Sequence, residues 1–116
     1  MKTLIHACKT WGAWRTTQRR LLPQTLEDVD IVFGICAHHG DKGSITVNQL
    51  IARCIASRNT VLRRLRTLID GGIVAIRASE SDRRLRELVL TQKGVRLVRK
   101  ATASFQELGI AMRRAR

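Results

Sequence analysis

The sequence predicts a mainly α fold that carries one small β-hairpin. Three observations predict it. Apolar residues recur at three- and four-residue steps through most of the chain, as they do along the buried faces of amphipathic helices. That rhythm gives way at 73–77 and 85–90, two short runs rich in branched residues that flank the polar, charged loop 78–84. The 116 residues include one proline and eight glycines, with 44% hydrophobic and 27% charged side chains, a composition that suits one folded domain. A disordered chain or a two-lobed enzyme is excluded.

The elements follow in order. Leu4, Ala7, Cys8, Trp11 and Trp14 share one side of a first helix that extends towards Leu21, with Lys2, Lys9 and Arg15 on the other side. Pro23 interrupts regular hydrogen bonding. Thr25 then reads as an N-cap, with Glu27, Asp28 and Asp30 near the positive end of a second helix that begins at Leu26. Its apolar face is Leu26, Val29, Val32, Phe33, Cys36 and Ala37, and His38-His39-Gly40 is expected to stop it. Thr46 and Gln49 have capping-box spacing ahead of a short helix that runs to about Cys54. Ser57 caps the next helix, whose stripe is Val61, Leu62, Leu65, Leu68 and Ile69 and whose end is Gly71-Gly72. After the hairpin, Thr91 caps a last helix through Val95, Leu97, Val98, Ala101, Phe105 and Leu108, with fraying expected beyond Gly109.

Charge narrows the function. Twenty-two Lys and Arg against nine Asp and Glu give a net charge of +13, which implies a polyanionic partner. Residues 1–52 carry only +2 of it and residues 53–116 carry +11, so the polyanion is expected to meet the C-terminal part. Two tryptophans, two phenylalanines and no tyrosine are too few for a base-stacking platform, which favours duplex over single-stranded nucleic acid. Three widely spaced cysteines read as reduced thiols, and no apolar run approaches the ~18 residues of a membrane span. A soluble, cytoplasmic protein without membrane attachment is the expectation.

Two short helices joined by a tight turn and followed by a basic hairpin have a direct use on DNA. The second helix fits the major groove, where its first turns reach base edges, and the hairpin reaches the adjacent minor groove. The polar residues fall accordingly. Ser57, Arg58, Asn59 and Thr60 open the helix at 57–70, Arg63 and Arg64 follow in its second turn, and Asn48 lies on the preceding helix. Arg77, Asp82, Arg83, Arg84 and Arg86 occupy the hairpin at 77–86.

Residues 44–94 resemble the winged helix-turn-helix of MarR-type transcriptional regulators. Gly72-Ile73-Val74 is similar to the family's Gly-Leu-Val entry to the wing, and Ser81-Asp82-Arg83-Arg84 to its Asp-Arg-Arg signature. Leu90-Thr91-Gln92-Lys93-Gly94 is similar to its Leu-Thr-x-x-Gly entry to the next helix, and Ser57-Arg58-Asn59-Thr60-Val61 to the start of its recognition helix. The resemblance implies that Asp82 braces Arg84 while Arg83 or Arg84 enters the minor groove. It also implies a homodimer built from residues 1–22 and 93–116 around a DNA-binding unit at 23–92. Two departures stand out. Ile55 occupies a turn position where the family has glycine, so the turn is expected to be built differently. Only one helix fits after the wing, where family members have two.

Other signals have plainer readings. Cys36, His38 and His39 suit helix capping and dipole compensation better than a tetrahedral metal site, and no cofactor is expected. Cys8 lacks the tyrosines that the family's thiol sensors use, so it reads as a packed apolar residue. Trp11 and Trp14 read as core or dimer contacts, with a pocket for a small-molecule effector as the alternative the resemblance adds. No nucleophile-base order or phosphate loop points to an enzyme. The expected function is a sequence-specific, double-stranded DNA-binding transcriptional regulator. Its rivals are a basic RNA- or ribosome-associated protein and a winged-helix protein-interaction module.

Overall fold

The computed structural model describes residues 1–21 and 25–114. Five helices and three short strands follow the order α1 (Lys2–Leu21), α2 (Leu26–Lys42), β1 (Ile45–Thr46), α3 (Val47–Arg53), α4 (Arg58–Asp70), β2 (Val74–Ala78), β3 (Arg86–Leu90) and α5 (Gln92–Arg114). The fold is mainly α, as the periodicity predicts, and it is the winged helix-turn-helix that the resemblance implies. The predicted break at Pro23 lies outside the described residues.

The caps are those the sequence encodes. Thr25 and Asp28 form a reciprocal capping box at the start of α2, and Thr46 and Gln49 form another at the start of α3. Ser57 caps α4 through the Thr60 amide, and the Thr91 hydroxyl accepts from the Gly94 amide in the first turn of α5. Each such cap contributes about 1 kcal/mol.

Three expectations need correction. α2 does not stop at His38-His39-Gly40 but runs on to Lys42, because the glycine that takes up the left-handed turn is Gly43, at φ 81°. The His38 ring donates from Nδ1 to the Gly43 carbonyl at 3.0 Å, which serves that later terminus. α5 continues to Arg114 rather than ending near Gly109, with α1 packed against it. The side chains of Phe105 and Leu108 lie outside the described set. Finally, the sheet has three strands, in the order β1-β3-β2, rather than two. Ile45 pairs with Leu88 and Thr46 with Glu87, but two residues are too few to show a period of two in sequence.

The core lies where α2, α3, α4 and the sheet meet. Ile31, Val32 and Ile35 of α2 are buried with Leu50 of α3, Val61, Leu65 and Leu68 of α4, and Ile45, Val74 and Leu88 of the sheet. Each such side chain contributes about 1.5–3 kcal/mol through removal from water. Trp14 joins this cluster from α1, with its ring 6.3 Å from that of Phe33. The β2–β3 hairpin runs beyond the core: Val74, paired with Leu90, is buried, whereas Ile76 and Ala78 are exposed.

Candidate nucleic-acid interface

The turn between α3 and α4 solves the problem posed by Ile55 without glycine. Cys54 takes an extended conformation at φ −78° and ψ 149°, and no described residue other than glycine has a positive φ. The Ile55 amide, which leaves the helical ladder, donates to Asp30 Oδ2 at 3.3 Å. The same carboxylate and partial burial push the Cys54 thiol up to about 11, burial being the larger cause. Both influences favour the Cys54 thiol over its thiolate.

Beyond the turn, α4 divides into two faces. Val61, Leu65 and Leu68 point into the core, while Arg58, Asn59, Leu62, Arg63 and Arg66 are exposed. The Ser57 hydroxyl accepts from the Thr60 amide and donates to Thr60 Oγ1 at 3.1 Å, so both residues are engaged in the cap. Asn48 is exposed on α3.

Arg64 departs from the expected set. Its Nε and Nη2 donate to Asp28 Oδ1 and Oδ2 at 2.9 and 2.8 Å, and its side chain is only 12% exposed. With two of its donors engaged in this way, Arg64 is turned towards α2 rather than standing free on the exposed stripe. The pairing holds its proton more tightly than in a free arginine.

The wing is organised by its short polar residues. Asp82 accepts from the Arg84 amide at 3.0 Å and from the Arg84 guanidinium at 3.3 Å, the brace that the resemblance implies. Ser79 is the residue the sequence reading passed over. It is buried, and its hydroxyl accepts from the amides of Ser81 and Asp82 while its own amide donates to the Leu85 carbonyl. A serine two and three residues ahead of loop amides is the available signal, hidden within a stretch of polar residues. Arg77 donates to Ser44 Oγ at 2.7 Å and lies 3.6 Å from Glu87, which ties the wing's base to the segment before β1. Arg86 donates to the Arg83 carbonyl at 3.2 Å, and both side chains are exposed with that of Arg84.

A cleft of about 480 Å³ lies beside the helix-turn-helix. Trp11 and Trp14 of α1 form one wall, with ring centroids 5.3 Å apart, and Val29 and Phe33 of α2 lie with Ile55 of the turn among the others. Glu27 and Asp30 bring carboxylates to its rim. Trp14 is thus a core residue and Trp11, 54% exposed, a wall of the cleft. Among the described residues no group of His, Cys, Asp and Glu is placed to hold a metal ion, and no helix is long and apolar enough to cross a membrane.

No family model matches the chain, and no curated protein matches it in sequence. Solved structures do match it in shape. MepR of Staphylococcus aureus, a transcription regulator of the multidrug efflux pump MepA, superposes with a TM-score of 0.80 at 19% identity, over 95% of this chain and 78% of that one. A MepR mutant bound to an oligodeoxyribonucleotide gives 0.76 at 22% identity, over 91% and 75%. BpsR of Bordetella bronchiseptica, whose DNA binding is regulated by 6-hydroxynicotinic acid, gives 0.59 at 16% identity, over 91% and 75%. The molecule therefore shares the winged-helix fold of these structures. More particularly, its five helices and three-stranded sheet follow the arrangement of MepR, the fold that the resemblance of residues 44–94 to MarR-type proteins implies.

Proposed function

We propose that this protein is a sequence-specific, double-stranded DNA-binding transcriptional regulator that acts in the cytoplasm as a homodimer. α4 enters the major groove, with Arg58, Asn59 and Arg63 towards base edges and Ser57, Thr60 and Asn48 near phosphate. The wing lies at the minor groove with Arg83 or Arg84 inserted, Arg77 and Arg86 flanking, and Asp82 holding the loop. The observation that carries this reading is the exposed stripe of Arg58, Asn59, Arg63 and Arg66 on a capped helix whose other face is locked into the core. The oligodeoxyribonucleotide bound to a MepR mutant of the same fold supports it.

Residues 1–22 and 93–116 form the dimerisation arms and residues 23–92 the DNA-binding unit; the packing of α1 along α5 supports that division. The cleft at Trp11 and Trp14 takes a small-molecule effector. MepR bound to ethidium bromide and BpsR regulated by 6-hydroxynicotinic acid support a ligand-responsive reading.

Selection from random duplexes, read by sequencing, tests the proposal. An inverted repeat with half-sites about one helical turn apart is expected, bound by two protomers. Recovery of no preferred duplex, or preference for structured RNA in direct competition, overturns it.

A further inference from the structure

Asp28 is 0% exposed, yet it carries a carboxylate in the first turn of a helix, where water is ordinarily at hand. Its oxygens accept from the Thr25 amide at 3.2 Å and from both Nε and Nη2 of Arg64. Two residues further along α2, Asp30 accepts the Ile55 amide at the start of the turn into α4. One helix thus holds the next at two places, the turn before it and its middle. Val61, Leu65 and Leu68 press α4 onto the core without fixing a direction, and these two polar contacts add the directional constraint.

The cap accounts for Asp28 as a partner of Thr25, but net stability is a weak account of its pairing with Arg64. The desolvation cost of a buried ion pair offsets most of its attraction, and an apolar pair of similar volume would hold the core at least as well. What a bidentate arginine-carboxylate pair supplies is direction, because the planar fork accepts one relative orientation. Arg64 adjoins Arg63 and sits between the exposed Leu62 and Arg66. The angle it imposes therefore decides where the stripe of exposed side chains points.

We propose that Arg64 is a positioning residue which, clamped by Asp28, sets the angle of α4 against α2 and so governs discrimination among duplex sequences without touching nucleic acid. The inference rests on the duplex-binding reading above. It is tested by the ratio of affinities for the selected duplex and a scrambled one, at fixed salt, in the full-length parent, Asp28→Asn and Arg64→Lys. Both substitutions are expected to lower the ratio about tenfold, the scale of one good base contact, with the scrambled duplex bound as before. Asp28→Asn is the sharper arm, because it removes the charge and one of the two acceptors and so loosens Arg64: a guanidinium that contacts DNA would then bind as well or better, and a retained or raised ratio overturns the proposal. Circular dichroism checks folding. Should Asp28→Asn fail to fold, Arg64→Lys carries the test, since it keeps the charge and the Thr25 cap while losing the fork. A parent with no preference for the selected duplex overturns the functional reading itself. A preference that both variants keep at the parent's level overturns the positioning role alone.

Discussion

Arg63 and Arg64 are neighbours of one chemical type with opposite surroundings, one exposed on α4 and the other gripped by a buried carboxylate. Arg63→Ala is expected to relax sequence choice by about 1–3 kcal/mol, measured on single-base variants of the selected duplex. Arg84→Ala is expected to weaken selected and scrambled duplexes alike, because a wing arginine reads groove width more than base identity. At the same scale, Cys54 links stability to alkaline pH. Its folded pKa, about 11, lies above the ordinary thiol value of 9.0, so the contribution is intact below pH 9 and is lost as pH rises through 11. Thermal unfolding should show the parent losing more stability across that window than Cys54→Ala does.

Elements depend on a few tight junctions. The wing holds its shape through Ser79 and Asp82, so Asp82→Ala is expected to speed amide hydrogen exchange at Arg84 and Leu85; unchanged protection would refute the brace. The entry to α5 is tighter still. A Cβ on Gly94 would lie 2.3 Å from the Ile73 carbonyl oxygen, so the Leu-Thr-x-x-Gly block requires glycine there for steric reasons. Gly94→Ala forces α5 away from the start of the wing and is expected to cost about 1–3 kcal/mol in denaturant unfolding. Thr91 shares the junction, its hydroxyl donating to the Ile73 and Gly72 carbonyls.

At the scale of the molecule, the uneven charge governs the proposed partner. With about four phosphates neutralised per protomer, a dimer should show a log-log salt slope of about −7 on duplex DNA. A titration in which affinity barely changes between low and moderate salt counts against the interface. The elongated shape, 53 × 25 × 23 Å, follows from long α1 and α5 lying along each other beside the winged core.

The five helices, the hairpin and four of the caps were legible because each rests on short-range physics: a repeat of apolar residues, a hydroxyl three residues ahead of a free amide, a glycine pair after a stripe. By itself the sequence determined these elements, their order and the concentration of positive charge in residues 53–116. Only the tertiary structure decided which arginines remain exposed. Asp28 already had a local explanation as a carboxylate near the positive end of α2, so nothing in the sequence tied it to Arg64, 36 residues away. β1 is visible only through its pairing with β3, and Ser79 only through the amides that fold back onto it. Contacts between distant segments depend on how the helices pack, and local spacing carries no record of that packing.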